Sequence, residues 1–216
     1  MNEVKFFDTE LQNLFIGEPF DIAYGLDGDT FRKYENRTTK RFEIEEKSFF
    51  LKIHGPVGWK EIIKNLAQLK IPVVGAKREY EALLHLSRNG INCPEIKGFG
   101  LRGLNPGNSS SFLITEELYN TISLEDFFLR GLHKSLTFKE KRNLIIEVAN
   151  LIRSMHSTGL NHRDLYLCHI HIQDDSKYDD IKLFLIDLHR AQIRSKVPPR
   201  WLIKDLGGFV HSIMQF

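Results

Sequence analysis

The stretch NHRDLYLCH, residues 161–169, decides the fold class of this chain, together with LIDLH at residues 185–189. The first stretch holds an H-R-D tripeptide, and His169, a side chain able to bind metal, follows its aspartate by five positions. The second holds Asp187 at the end of an apolar run. In this layout Asp164 takes the proton of an attacking hydroxyl, while Asp187 holds magnesium on the phosphates of ATP. The two stretches together predict a phosphotransfer site.

The composition is that of a folded enzyme. The chain has 216 residues, of which 42% are hydrophobic and 27% are charged, which predicts one large domain or two lobes that share a cleft. The net charge of +2 is too small to indicate a nucleic-acid partner, and none is expected. The two cysteines show no pairing pattern, which favours a reducing compartment.

The sequence shows no signal for export or for crossing a membrane. Its N-terminus carries charged residues from Glu3 onward, unlike a signal peptide. No stretch approaches the roughly 20 apolar residues that span a bilayer. Any membrane association is therefore expected to be peripheral.

The first half predicts a mixed lobe of strands and helices. Apolar and aromatic runs predict five strands, at residues 30–34, 38–44, 48–54, 95–101 and 111–118. An apolar stripe from Trp59 to Leu69 predicts a helix that ends at Ile71-Pro72. A second helix is predicted over residues 76–88, and its expected inner face consists of Tyr80, Leu83, Leu84 and Ser87.

The second half is predicted to be mainly helical. A short helix at residues 124–129 follows Ser123, and Thr137 with Glu140 forms a capping box at the start of a longer helix. The longer helix ends at Gly159, and its apolar stripe consists of Leu144, Val148, Leu151, Ile152 and Met155.

The H-R-D loop follows this helix directly. Two strands, at residues 170–172 and 182–186, flank a polar turn at residues 173–180. Because sequential strands pair easily, the chain is predicted to be α+β, with a sheet-and-helix lobe at residues 1–118 and a helical lobe at residues 119–216.

Lys52 is a candidate nucleotide ligand because it lies inside an apolar strand. One interpretation is an edge-strand lysine that points to water. The other is an ammonium directed at the α- and β-phosphates, which needs a carboxylate partner from the following helix. Glu79 is the predicted partner, since Glu81 lies two residues further and is rotated by ~200° around the helix.

Asp164 is the predicted catalytic base. Its place in a loop suits a carboxylate that stays reachable and unpaired, and that orients the hydroxyl before it accepts the proton. A loop acid without a catalytic role is the alternative. His162 is predicted to brace the loop through hydrogen bonds rather than to take part in chemistry.

Asp187 and His169 are the predicted metal-site residues. Asp187 ends an apolar run that predicts a buried strand terminus, and a buried carboxylate requires a cation. His169 stands where protein kinases have asparagine, and imidazole is a less typical magnesium ligand. Metal binding, direct contact with phosphate, and a core histidine all remain open for His169.

The loop after Asp187 is basic and contains no acid from residue 188 to residue 204. A solvated loop is one explanation. The other is contact with a polyanionic acceptor or an anionic membrane surface, for which Arg190 and Arg194 are the candidates. The glycine-rich phosphate loop of kinases is missing, and Lys40 and Arg41 are candidates to contact the phosphates instead.

Segments over nearly the whole chain resemble bacterial lipopolysaccharide core heptose(I) kinases. These segments are residues 50–52, 60–66, 72–76, 114–118, 121–126, 161–169 and 186–192. The kinases of the inner-core sugar 3-deoxy-D-manno-octulosonic acid are a related group with poorer similarity.

The resemblance implies a protein-kinase-like two-lobe fold and transfer of the γ-phosphate of ATP to a hydroxyl of the first heptose. The implied cofactors are ATP and Mg²⁺. The implied partner is a lipid-linked, anionic inner-core acceptor on the cytoplasmic side of the inner membrane. It also implies residue roles: a nucleotide pair at Lys52 and Glu79, adenine contacts at Glu116 and Leu118, a base at Asp164, metal contacts at His169 and Asp187, and a loop anchor at Asp205.

Relatives of this kind continue beyond the position of Phe216, so a truncated helical lobe is expected, with the helix around Asp205 barely completed. Two alternatives remain open. One is a kinase of another inner-core sugar or small hydroxyl acceptor. The other is a catalytically weak nucleotide-binding module, which the missing glycine loop favours and the intact Lys52, Asp164 and Asp187 disfavour.

Overall fold

The computed structural model describes residues 2–34, 36–68, 74–173 and 181–216. The chain divides into two compact units. The first consists of Met1–Glu81 and Glu95–Glu117, and the second of Ala82–Pro94 and Leu118–Phe216. The predicted helix end at Ile71-Pro72 and the predicted turn after Gln173 lie outside the described residues.

The first unit contains a six-stranded sheet in which every neighbouring pair is antiparallel. Its strands are β1 (Asn2–Phe6), β2 (Asp29–Tyr34), β3 (Arg37–Ile44), β4 (Lys47–His54), β5 (Ile96–Arg102) and β6 (Ser110–Glu116). Their order across the sheet is β1-β5-β6-β4-β3-β2. The five predicted strands are confirmed, and β1, which was not predicted, forms one edge.

Two short helices, α1 (Thr9–Leu14) and α2 (Pro19–Gly25), cover one face of this sheet. Their apolar residues form a core with side chains that alternate along β3, β4 and β6: Leu11, Phe15, Phe20, Ala23, Phe42, Phe49, Leu51, Ile53, Phe112 and Ile114. Since successive strand residues point to opposite faces, Lys52 projects from the face that α1 and α2 leave uncovered.

The two helices between β4 and β5 differ from the prediction in which residues they bury. In α3 (Trp59–Ala67) the predicted stripe is mostly exposed, and Ile62 is its buried member. In α4 (Lys77–Arg88) Ser87 is exposed, whereas Ala82 and Leu86 are buried beside Leu83. In α4 the helical period was right and Leu83 is buried as predicted, but the inner face lies about one position away from the prediction, because the small Ala82 packs inward.

The second unit is built from helices with short strands between them. Its elements are β7 (Thr121–Ser123), α5 (Leu124–Leu129), α6 (Phe138–Ser157), β8 (Leu160–Asn161), β9 (Ile170–Gln173), β10 (Leu183–Leu185), β11 (Gln192–Ile193) and α7 (Pro199–Ile213). One sheet has the order β10-β9-β7, and β11 pairs with β8 in a second sheet. Because β11 pairs with β8, the basic loop lies beside the start of the H-R-D loop.

The helices α6 and α7 support the H-R-D loop. The predicted capping box of α6 is confirmed, and its stripe is buried at Leu144, Val148, Ile152 and Met155. The helix α7 runs for 15 residues, so the expectation of a barely completed helix around Asp205 was wrong. No helix in the described part of the chain is long and apolar enough to cross a membrane.

Candidate active site

Lys52 and Glu79 form an ion pair inside the first unit. Lys52 Nζ lies 2.5 Å from Glu79 Oε1, and the Glu79 side chain is only 3% exposed. Glu81 lies on another side of α4, where it pairs with Lys77 at 3.7 Å. A buried carboxylate requires such a cation, because an unpaired charge is costly to bury. The pair fixes the ammonium on the face of the sheet opposite α1 and α2.

Glu116 lies at the end of β6, and its carboxylate is 2.7 Å from Lys97 Nζ. Its backbone N–H donates to the Glu95 carbonyl. Leu118 belongs to the second unit, where its carbonyl accepts from Thr121 Oγ1. The residue between them, Glu117, pairs with Arg41 at 2.8 Å.

The two basic residues proposed in place of a glycine-rich loop have other partners. Arg41 pairs with Glu117 and Glu43, and Lys40 Nζ donates to the carbonyls of Leu26 and Tyr24. The expectation that these two side chains contact phosphates is therefore not supported by their contacts in the first unit.

The H-R-D loop is anchored by Asp205, which lies on α7 and is fully buried. Its carboxylate accepts hydrogen bonds from the backbone N–H of His162 at 2.8 Å and of Arg163 at 2.7 Å. His156 Nε2 lies 3.0 Å from the same carboxylate. A second anchor on α7 is Ser212, whose Oγ accepts from the Leu167 N–H at 3.0 Å. Sequence reasoning missed Ser212.

His162 lies at the centre of this support. Its ring is fully buried, with Nε2 3.0 Å from the Ile186 carbonyl oxygen, which connects the H-R-D loop to the segment that carries Asp187. Burial, and to a lesser extent the nearby His169, lower the pKa of His162 to about 4. The ring is therefore neutral at physiological pH and donates from Nε2 to the carbonyl.

Asp164 does not stay unpaired, contrary to the prediction. Arg190 Nη1 donates to Asp164 Oδ1 at 2.8 Å, and the Asp164 side chain is 14% exposed. The partner comes from the basic loop, for which the sequence left open a solvated loop or contact with an anionic acceptor or membrane. An Asp164 carboxylate held by one guanidinium keeps its second oxygen available for a hydroxyl.

His169 connects Asp164 and Asp187. Its Nδ1 donates to the Asp164 carbonyl oxygen at 2.7 Å, and its Nε2 lies 3.5 Å from Asp187 Oδ2. Burial alone would lower the pKa of His169, but hydrogen bonds with Cys168 and the Asp164 carbonyl outweigh burial and raise it. The ring is stacked on His162, with centroids 5.5 Å apart.

Asp187 is partly buried, with 26% of its side chain exposed, rather than fully buried as predicted. Its Oδ1 accepts from His189 Nδ1 at 2.7 Å. Both Asp187 and Arg163 have a positive φ, 56° and 75°, which costs on the order of 1–3 kcal/mol each and is typical of functional sites.

The donor set around Asp187 fits magnesium in part. Within the described residues no group of three or more His, Cys, Asp or Glu side chains is arranged to hold a metal. Magnesium nevertheless often binds through one or two carboxylates, with water and substrate phosphates as its remaining ligands. Asp187 fits that pattern, while the His169 imidazole is a less usual ligand.

Arg194 extends the site along the basic loop. Its guanidinium donates to the side-chain oxygens of Asn161 and Gln192, so it is held against the strand that precedes the H-R-D loop. It also lies beside the Trp201 ring. Trp201 was not predicted as a site residue, because no sequence pattern marks a ring that becomes surrounded only after folding.

A lysine held by a buried glutamate, an H-R-D loop, and a second aspartate after an apolar run are features of a kinase, an enzyme that transfers phosphate. The sequence profile of the lipopolysaccharide kinase (Kdo/WaaP) family matches residues 23–216. The chain belongs to this family.

Individual relatives agree with the family match. The chain is 49% identical to the lipopolysaccharide core heptose(I) kinase WaaP of Escherichia coli strain K12 over 191 residues, 88% of this chain and 72% of that protein. It is 39% identical to the Pseudomonas aeruginosa kinase of the same name over 91% of this chain and 74% of that protein. A solved structure, WaaP in complex with acyl carrier protein, matches with a TM-score of 0.82 and 32% identity over 97% of this chain and 80% of that one. The resemblance to heptose(I) kinases is thereby confirmed.

Proposed function

We propose that this chain transfers the γ-phosphate of ATP to a hydroxyl of the first heptose of the lipopolysaccharide inner core. The observation that carries the proposal is the connection from Asp164 through His169 to Asp187, in a chain 49% identical to a heptose(I) kinase. We further propose a protein-kinase-like two-lobe fold, with lobes at residues 1–118 and 119–216.

The residues predicted for nucleotide binding and for catalysis each have a role in this proposal. Lys52, held by Glu79, binds the α- and β-phosphates, and the segment from Glu116 to Leu118 binds adenine. Asp164 orients the acceptor hydroxyl and takes its proton as the new oxygen–phosphorus bond forms and ADP leaves. Arg190 holds the Asp164 carboxylate in place.

Asp187, with His169, would hold Mg²⁺ in this proposal. A bound magnesium ion would neutralise charge that develops on the phosphates. The hydrogen bond from His169 Nδ1 to the Asp164 carbonyl would then keep the catalytic loop in register with the metal-binding side chain.

The proposed acceptor is anionic and lipid-linked, so the enzyme is expected to act on the cytoplasmic face of the inner membrane as a peripheral protein. The absence of acids from residue 188 to residue 204 supports this, since a basic loop is attracted to anionic lipid.

An acceptor panel tests the proposal. The purified chain is incubated with radiolabelled ATP and Mg²⁺ and offered inner-core glycolipid with the heptose, the same glycolipid without it, or no acceptor. We expect label only on the heptose-containing acceptor, and none with the Asp164→Asn variant. Asp27→Asn is the matched control, since Asp27 is an exposed loop acid.

Other outcomes would identify the alternatives. Label on the glycolipid that lacks heptose would indicate a kinase of another inner-core sugar. ATP binding without label on any acceptor would indicate a nucleotide-binding module.

A second proposal concerns acyl carrier protein, the partner in the similar solved structure. The second unit has an apolar groove of about 830 Å³ between α5, α6 and α7, and its lining includes Phe128, Ile145, Leu206 and Val210. An exposed apolar groove of this kind favours a partner with an apolar group, such as an acyl chain. Gel filtration with acylated and unacylated acyl carrier protein tests this, and co-elution only with the acylated form is expected.

A further inference from the structure

Four cationic side chains surround the ring of Trp201 in the second unit. Measured to the ring centroid, Arg163 lies at 4.9 Å, Arg200 at 5.3 Å, Lys204 at 5.4 Å and Arg194 at 5.7 Å. A single cation over an indole is a common stabilising contact. Four around one ring place like charges within about 11 Å of one another, close to the screening length in physiological salt.

Three of these four cations have no carboxylate partner among the residues that the structure describes. Residues 188–204 contain no acid, and no described carboxylate forms an ion pair with Arg194, Arg200 or Lys204. Arg194 is held by the neutral amide oxygens of Asn161 and Gln192. The nearest acid in sequence, Asp205, uses its oxygens for backbone N–H groups and His156.

Trp201 itself carries a donor without an acceptor. Its Nε1 is buried and meets no hydrogen-bond acceptor among the residues that the structure describes. A buried donor of this kind is rare in folded proteins, and it often marks a place that a ligand or water completes.

The geometry points to an oxyanion site around Trp201, formed by Arg163, Arg194, Arg200 and Lys204, which binds a phosphate group already present on the acceptor. This inference rests on the proposed function. Phosphate fits better than carboxylate because it carries up to two charges and offers three oxygens to several donors at once. Arg163 precedes the catalytic Asp164, so binding here would position the acceptor relative to the base.

The fluorescence of Trp201 can report anion binding at this site. The chain has two tryptophans, and Trp59 lies in the first unit, so Trp59→Phe leaves Trp201 as the only indole. The probe is inorganic phosphate, titrated at constant ionic strength against chloride. We expect a saturable change in Trp201 fluorescence, because an anion draws the cations away from the ring.

Three variants test whether phosphate binding depends on the cations around Trp201. Arg200→Gln with Lys204→Gln should raise the midpoint for phosphate at least tenfold, whereas Arg200→Lys, which keeps the charge, should retain most of the affinity. Lys141→Gln with Arg142→Gln removes the same charge from an exposed part of α6 and should change the midpoint less than twofold. No saturable change, or an equal loss in the control, would overturn the inference.

A kinetic experiment identifies the source of the phosphate. With the intact acceptor, the Arg200→Gln/Lys204→Gln variant should raise the acceptor KM at least fivefold and leave the KM for ATP unchanged. With an acceptor stripped of its existing phosphates, the two proteins should have the same KM. An equal rise in KM on both acceptors would refute recognition of an acceptor phosphate. Transfer to heptose without a Trp201 response would remove this inference alone, while a Trp201 response without transfer would remove the proposed function.

Discussion

Replacing the buried Asp205 of α7 with alanine should strongly destabilise the second unit. The Asp205 side chain is 0% exposed and accepts from two backbone N–H groups and from His156. Alanine leaves both N–H groups of the H-R-D loop buried without an acceptor. The hydrogen bonds that are lost hold the loop that carries Asp164.

The size of the effect follows from the number of buried donors that lose their acceptor. Each buried donor left without a partner costs about 1–3 kcal/mol, so Asp205→Ala should cost roughly 3–5 kcal/mol in the free energy of unfolding. Asp205→Asn keeps one amide oxygen and should cost about half of that. For a chain of this size, each kcal/mol lowers the Tm by about 2–4 °C.

Urea unfolding followed by Trp201 fluorescence in the Trp59→Phe background measures this directly. Asp27→Asn, an exposed acid, is the control and should change the free energy of unfolding by less than about 0.5 kcal/mol. If Asp205→Ala costs less than about 1 kcal/mol, Asp205 does not hold the loop, and the structural account of the H-R-D support is wrong.

Three further predictions concern the nucleotide pair, pH and thiol reactivity. Glu79→Gln should raise the KM for ATP about tenfold, because Lys52 loses its buried partner, while Glu81→Gln on the same helix should not; steady-state kinetics measures both. The pKa of His162 is about 4 in the folded state against an ordinary value of 6.5, so the folded state binds fewer protons than the unfolded chain between these values. Its contribution to stability is therefore complete above pH 6.5 and is lost as pH falls toward 4, by roughly 3 kcal/mol, and urea titrations from pH 7.5 to 4 should show a smaller loss in His162→Gln. Burial raises the pKa of Cys93 to about 11, so alkylation by iodoacetamide at pH 8 should be about 100-fold slower at Cys93 than in the unfolded chain, as peptide mass spectrometry can show; equal rates would contradict the burial of its thiol.

The sequence predicted elements whose patterns are long and local. The strands β2 to β6 carry aromatic and β-branched runs, and α6 carries a capping box with a long stripe, so their positions were right within one or two residues. The helices α1 and α2 have only six and seven residues, too few for a periodic signal, and they were missed because their flanking signals were not used, whereas the equally short α5 was predicted from Ser123 in front of it. Asp8, which caps α1, and Pro19 at the start of α2 were the available signals.

Some contacts of the candidate site were also predictable from the sequence, and others were not. Glu79 followed from the rotation of a helix, and its contact with Lys52 lies within one unit. The pairing of Arg190 with Asp164 did not follow, since the contact joins residues 26 apart through a loop whose course the sequence does not specify. The cluster around Trp201 depends on β11 pairing with β8, and a two-residue strand leaves no readable pattern.

A single-turnover comparison of wild type with Asp164→Asn tests whether Asp164 is the catalytic base. Labelled ATP is bound first, its affinity is measured, and transfer to the heptose-containing acceptor is then followed. We predict an ATP affinity within about threefold of wild type and a transfer rate lowered by about 10²–10⁴-fold, the usual contribution of a positioned base. Transfer at the wild-type rate by Asp164→Asn would show that Asp164 is not the base.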